Sequence, residues 1–159
     1  MTDLRHDTFH RVQELSFSYF DKTNSGWLIA RMLGEMVFEC KGKWTGTRVL
    51  KDGKCEVTIE SQGQFLGEPF GQLLTAEIDV SPDGLTGYEE FRGFFDTREG
   101  SHGQFSGYQH VVRNPDGTTF GKGVCFFISP PGKYEGLNKK VVIIESETDV
   151  ERNVHQRGW

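Results

Sequence analysis

The segment QLLTAEIDVSPDGLTGYEEFRGFFD, residues Gln72–Asp96, contains two extended runs joined by a turn, and it decides the fold class. Apolar and polar side chains alternate along residues 72–80, which is typical of a strand with one buried face. Ser81-Pro82-Asp83-Gly84 then forms a turn sequence, because proline presets φ and glycine readily adopts a positive φ. Residues 85–96 continue as a second extended run, so this stretch predicts β-structure.

The same turn chemistry divides the rest of the chain into short segments. Lys51–Lys54 contains the Asp-Gly signal of a two-residue hairpin, and Asn114–Gly117 repeats the Pro-Asp-Gly turn. The candidate strands between such turns are residues 35–44, 55–61, 72–80, 85–96, 104–113, 119–128 and 139–146. No long helical pattern separates them, so the sequence predicts a single all-β domain, built as an antiparallel sandwich or barrel.

The two ends of the chain have less definite patterns. Within residues 1–34, the stripe from Phe9 to Tyr19 fits a helix, whereas Ser16–Phe20 also alternates like a strand. The charged tail, residues 147–159, fits a short helix or a disordered arm. A chain of 159 residues is natural for one domain, and neither end resembles a second.

Glu89 is the first candidate functional residue. With a period of two, one face of the second extended run carries Leu85, Gly87, Glu89, Phe91, Gly93 and Phe95. Glu89 is the one acid on this apolar face. Burial disfavours the charged form of a carboxyl group and raises its pKa, which suits a general acid or base.

The strand at residues 104–113 supplies the candidate partners of Glu89. One of its faces carries Tyr108 and His110, and the other carries Phe105 and Gln109. If the first face is interior, His110 becomes a proton-transfer partner for Glu89 and Tyr108 a hydrogen-bonding group. If it is exterior, Tyr108 and His110 form a surface pair and Gln109 faces the interior. The pattern leaves both alternatives open.

The three cysteines, Cys40, Cys55 and Cys125, lie in phase with apolar neighbours and form no CxxC pair. Free cysteine behaves as a small hydrophobic residue in such positions, so we expect core packing. We also expect no metal site. His6 and His10 lack a third ligand, and the calcium-loop-like Asp21–Gly26 would require a glutamate where Met32 stands.

Composition argues against several partners. The formal net charge of -5 and the pI near 5.5 provide no basic surface for nucleic acid or for an anionic membrane. No apolar run approaches the ~20 residues that span a bilayer, and Met1–Asp7 lacks the pattern of a secretion signal. We therefore expect a cytoplasmic protein.

Several glycine-rich motifs resemble those of a known family. They occur in the order Gly63–Glu68, Gly84–Glu89, Gly93, Gly103–Gly107 and Gly132–Leu137. In this order residues 57–144 resemble the allene-oxide-cyclase-like barrel proteins, and most of all an uncharacterised bacterial branch of small single-domain members. The motifs are also similar to those of dirigent proteins and lipocalin-like cyclases.

The resemblance implies a single antiparallel eight-stranded β-barrel with a central apolar cavity. It also implies an activity without a cofactor, a hydrophobic small-molecule ligand and a homo-oligomer, either a dimer or a trimer. Only Glu89 matches a site residue of the cyclases, in which a glutamate steers charge in a reactive substrate.

Three functions fit these observations. The first is an isomerase or cyclase in which Glu89 is the acid/base or the stabiliser of a cation. Tyr108, His110 or Gln109 would assist it, and the ligand would be shaped by Phe38, Phe91, Phe95 and Phe105. The second is a non-catalytic carrier barrel in which Glu89 pairs with an interior polar residue. The third is a subunit of a larger assembly, with a barrel filled by side chains.

Overall fold

The computed structural model describes residues 35–159, and Met36–Trp159 form one compact unit. The predictions made for residues 1–34 lie outside the described residues. The eight strands are β1 Phe38–Val49, β2 Cys55–Phe65, β3 Glu68–Val80, β4 Thr86–Thr97, β5 His102–Arg113, β6 Thr119–Ile128, β7 Val141–Thr148 and β8 Asn153–Gly158. Each strand pairs antiparallel with the next, and β8 pairs with β1 to close the sheet. The all-β class and the eight-stranded barrel are confirmed.

The predicted turns connect strands at one end of the barrel. Lys51–Lys54, Ser81–Gly84 and Asn114–Gly117 join β1 to β2, β3 to β4 and β5 to β6. In the second turn, Asp83 Oδ1 accepts a hydrogen bond of 2.9 Å from the Leu85 amide, which is the local bonding that favours Asp in turns. A short β7–β8 turn lies at the same end, which we call the hairpin end.

The opposite end is covered by the long connection between β6 and β7. This connection contains a 3₁₀ helix, Glu135–Lys139, and it buries Tyr134 and Leu137 against the core. The ring of Tyr134 meets that of Phe65 edge-on, with centroids 5.1 Å apart. Asn138 fixes the start of the connection through hydrogen bonds of 2.7 and 2.9 Å to the Ser129 backbone. We call this the aromatic end.

The interior is packed by phenylalanine rings that lie over glycines of the neighbouring strand. Phe95 on β4 pairs with Gly103 on β5, and a Cβ added to Gly103 would lie 2.6 Å from the Phe95 ring. The same relation holds between Phe105 and Gly93, Phe91 and Gly107, and Phe38 and Gly158. A closed eight-stranded barrel has room for few large side chains, and these glycines make the room.

The tail prediction for residues 147–159 is wrong for residues 147–148, which end β7, and for residues 153–158, which form β8. The error has a physical reason, because the inward positions of β8 are Val154, Gln156 and Gly158. An amide and a glycine interrupt the apolar alternation from which a strand is recognised. The buried face of β8 is therefore hidden in the sequence.

Candidate functional site

Glu89 lies on the interior face of β4, as the alternation predicted, and only 6% of its surface is exposed. Its cross-strand partners are Ile78 on β3 and Gln109 on β5. Glu90, the next residue, points to the outer face and is exposed. The two adjacent glutamates therefore occupy opposite environments.

Gln109 links Glu89 to a third polar side chain. Its side chain hydrogen-bonds to the Glu89 carboxyl group, and its Oε1 accepts a bond of 2.8 Å from the Ser146 hydroxyl. Gly121 lies beside them, where a Cβ would press on both Gln109 and Ser146. Glu89, Gln109 and Ser146, together the acid cluster, form a buried hydrogen-bonded chain across β4, β5 and β7.

The protonation of Glu89 is set mainly by burial. Desolvation raises the pKa of Glu89 from 4.5 to about 7, and the hydrogen bond from Gln109 opposes the shift. Both protonation states are thus populated near neutral pH. Such a group can give or take a proton, or meet a ligand as a neutral hydrogen-bond donor.

Tyr108 and His110 lie on the outer face of β5, because Gln109 between them is buried in the interior. Tyr108 stacks with Tyr88 at 6.0 Å between ring centroids, and burial together with the nearby Glu90 raises the pKa of Tyr108. His110 lies between Tyr88 and Lys122 in the strand register. The surface alternative for this pair is the one observed, so neither residue shares the interior with Glu89.

The four phenylalanines of the predicted ligand site surround the central cavity. Phe38, Phe91, Phe95 and Phe105 all line it, whereas Glu89 and Gln109 do not. Phe91 is the next inward residue after Glu89 on β4, so the acid cluster lies one layer nearer the hairpin end. The predicted site is therefore divided into an aromatic part and an acidic part in adjacent layers.

The central cavity is apolar but small. Its volume is about 20 Å³, far below the roughly 300–1,000 Å³ of ordinary ligand pockets. Phe65, Phe70 and Phe127 fill much of the remaining space at the aromatic end. A molecule of several heavy atoms enters this interior only if some of these rings move.

A second polar cluster, which we did not predict from the sequence, contributes two glutamine side chains, Gln72 and Gln156, to the cavity lining. Gln72 Nε2 donates a hydrogen bond of 2.7 Å to Gln156 Oε1 and a weaker one of 3.3 Å to Cys40 Sγ. Gln72 lies in phase with Leu74 and Ala76, which is the signal that could have identified it. We call Cys40, Gln72 and Gln156 the amide cluster.

The cysteines are free, as expected for core residues. Cys40 and Cys125 are buried and Cys55 is half-buried. Burial raises the pKa of Cys40 to about 12 and that of Cys125 further still. Thiols held protonated in this way are poor nucleophiles and poor metal ligands. Between residues 35 and 159, no group of three or more His, Cys, Asp or Glu side chains could hold a metal ion.

A shallower cavity of about 140 Å³ lies at the aromatic end, between the β4–β5 turn and residues 129–134. Its cation, Lys133, contacts Glu68 and lies 3.5 Å from Glu99. The positive charge is already balanced by two carboxylates, so this cavity offers little to an anion.

The chain matches no family model, no curated protein and no solved structure. The allene-oxide-cyclase-like resemblance therefore stays a prediction, and the function must be argued from the barrel itself. Within the part of the chain that the structure describes, no helix is long and apolar enough to cross a membrane.

Proposed function

We propose that this barrel binds a small, mainly apolar molecule in its interior, with the acid cluster recognising a polar group of that molecule. The observation that carries the proposal is the buried chain of Glu89, Gln109 and Ser146 inside an otherwise apolar barrel. The ligand would approach from the hairpin end, because Tyr134 and Leu137 cover the aromatic end.

Energetics support a functional reason for the acid cluster. A buried carboxyl group costs stability even when it is hydrogen-bonded, and a well-packed apolar side chain would avoid that cost. Ile78, directly across from Glu89, shows that apolar side chains fit at this level of the barrel. A polar chain retained there is what a ligand site requires: a few placed polar groups among apolar walls.

The small central cavity adds a kinetic expectation. A ligand that contacts the acid cluster needs space that is now filled by rings such as Phe91 and Phe105, on the aromatic-end side of the cluster. Its entry must therefore be coupled to movement of these rings. Binding that waits for a sparsely populated open state lowers the apparent affinity and slows association. We therefore expect slow association that accelerates when a ring is shortened, as in Phe91→Leu.

A cofactor-independent isomerase or cyclase is the second candidate. Its support is the Glu89 pKa of about 7, at which one carboxyl group can serve as acid or base. The resemblance to the allene-oxide-cyclase-like proteins favours the same reaction class. In that case the ligand is a hydrophobic substrate, and Glu89 protonates it, deprotonates it or stabilises a developing cation.

Glu89→Gln tests both candidates, with Glu90→Gln as the matched outer-face control. The neutral fluorescent amine N-phenyl-1-naphthylamine is an apolar probe with one N–H donor. We expect wild type and Glu90→Gln to bind it alike at pH 8, and Glu89→Gln about fivefold more weakly, because a carboxylate acceptor is lost. Equal binding by all three proteins, or no binding by wild type, refutes the interior site.

Once a substrate is identified, catalysis predicts retained affinity with turnover reduced at least about a hundredfold in Glu89→Gln.

Self-association is a further part of the proposal, and it rests on the outer face. Leu73 and Phe94 are direct cross-strand partners, and Gln104 separates Phe94 from Ile128 in the same row. Leu73, Phe94 and Ile128 are 47%, 60% and 47% exposed. Apolar rows of this kind mark contact surfaces. Light scattering should show that wild type is a dimer or trimer and that Phe94→Ser weakens this association, whereas the control Glu90→Gln does not. A monomeric wild type at micromolar concentration contradicts the proposal.

A further inference from the structure

The structure assigns a second recognition point to the barrel. We propose that Gln156 and Gln72 form a binding site for one neutral oxygen atom in the central cavity. A water molecule supplies the oxygen when no ligand is bound, and a carbonyl or hydroxyl group of the ligand supplies it when one is. The second half of this statement rests on the proposed function, whereas the first half does not.

The hydrogen bonds within the amide cluster leave specific groups available. Gln72 Nε2 donates one proton to Gln156 Oε1, at 2.7 Å, and the other to Cys40 Sγ, at 3.3 Å. The Cys40 thiol also donates to Gln156 Oε1, at 3.7 Å, so this oxygen accepts from two groups. Among residues 35–159, Gln156 Nε2 and Gln72 Oε1 make no hydrogen bond. One donor group and one acceptor thus remain at the cavity wall.

Burial makes an unpaired Gln156 amide costly. Gln156 is 8% exposed and lies on the inward face of β8, between Val154 and Gly158. Buried polar groups almost always find a partner, whether protein or ordered water. Since the protein partners bind Oε1, the Nε2 protons remain available to an acceptor from another source.

The cavity has the size of one such acceptor. Its volume of about 20 Å³ exceeds the roughly 10–15 Å³ that one water needs, and it leaves no room for a second. The remaining wall is largely phenyl rings, Leu74 and Ile144. A single water or hydroxyl oxygen can accept from Gln156 Nε2 and donate to Gln72 Oε1 without filling the apolar part, whereas a carbonyl oxygen accepts from Gln156 Nε2 alone.

The charged side chains near the central cavity favour a neutral ligand. Of the residues that line the cavity in the described chain, only Glu145 carries a carboxylate, and Arg157 Nη2 lies 3.9 Å from it. Neither an anion nor a cation therefore gains a free counter-charge. The ligand class that follows is a small, mainly apolar ketone, aldehyde or alcohol, with its oxygen at the amide cluster.

The first experiment tests the water. A high-resolution crystal structure of the full chain, with water-to-amide magnetisation transfer in solution, should show an ordered water within hydrogen-bond distance of Gln156 Nε2. The ordered water should be absent from the crystal structure of Gln156→Met, which has a similar shape but no donor. A dry cavity in wild type overturns the proposal.

The second experiment tests the ligand oxygen with a matched pair of probes, acetophenone and isopropylbenzene. We expect wild type to prefer acetophenone by about fivefold, the worth of one neutral hydrogen bond. The preference should persist in Glu89→Gln and disappear in Gln156→Met, which lacks the amide donor to the ketone oxygen. Binding without a preference refutes the oxygen site for ligands while the proposed function stands. Failure of both probes to bind refutes the ligand half of this proposal. It leaves the proposed function to the N-phenyl-1-naphthylamine test and the first half to the water result.

Discussion

Glu89 on β4 and Gln109 on β5 are direct cross-strand partners, and their side chains hydrogen-bond inside the barrel. The partner of Glu89 is thus an amide and not a cation. An amide satisfies a carboxyl group in either protonation state, whereas a cation would hold it ionised. This choice of partner allows the pKa of Glu89 to rise to about 7.

The first prediction concerns pH and stability. The folded pKa of Glu89, about 7, lies above the unfolded value of 4.5, so the folded state binds this proton more tightly. The contribution of Glu89 protonation to the free energy of unfolding is complete below pH 4.5, decreases between pH 4.5 and 7, and is lost above pH 7. The total loss is ~3 kcal/mol. Urea unfolding should therefore show that Glu89→Gln gains stability relative to wild type between pH 5 and pH 8. Glu90→Gln, the exposed neighbour, should show no such gain, and a pH-independent difference for Glu89→Gln would contradict the assignment.

The second prediction concerns the ring-over-glycine packing. Gly103→Ala places a methyl group 2.6 Å from the Phe95 ring, so we expect a loss of about 1–3 kcal/mol in the free energy of unfolding. Gly71→Ala is the control, because its nearest neighbour would be 3.9 Å away. The loss should shrink in a Phe95→Leu background, since the smaller side chain yields space. Equal losses in both backgrounds would argue against the contact.

The third prediction concerns the β2–β3 turn. Leu66 has a φ of 48° and is followed by Gly67 with a φ of 83°, so a bulky residue occupies a left-handed position. Asparagine tolerates this conformation better, and Leu66→Asn should stabilise the barrel by about 1 kcal/mol in urea unfolding. Leu66→Ala removes the side-chain contacts but retains most of the backbone strain, and should not stabilise. A lower stability of Leu66→Asn than of Leu66→Ala would refute the explanation.

The fourth prediction concerns thiol reactivity. Cys40 and Cys125 are almost completely buried, whereas Cys55 is half-buried at the start of β2. A neutral alkylating reagent should label Cys55 first in the folded protein and the other two only after unfolding. Mass spectrometry of partially labelled protein provides the measurement, and Cys55→Ser should leave a folded protein that resists labelling. Rapid labelling of Cys125 in folded protein would contradict the burial.

Strands whose inward positions are clearly apolar were predicted from the sequence. Strand β8, whose inward positions include a polar residue and a glycine, was not. Leu74, Ala76 and Ile78 identify the inner face of β3, and Glu89 stands out on β4 because its neighbours in phase are apolar or glycine. Gln156 and Gly158 conceal β8 for the opposite reason. Both faces of β5 mix polar and aromatic residues, so its alternation alone could not orient Tyr108 and His110. Only the pairing of β5 with two neighbours fixes that choice.

The pairing of β8 with β1 joins residues that are far apart in the chain, such as Cys40 and Gln156, at a separation of 116 positions. The other strand pairs form between consecutive segments, so this closure is the entropically demanding step of folding. Until it occurs, β1 and β8 present free backbone edges that can pair with another chain. In a nascent chain the barrel cannot close until residues 153–158 have emerged, so β8 decides between a closed barrel and edge-to-edge aggregation.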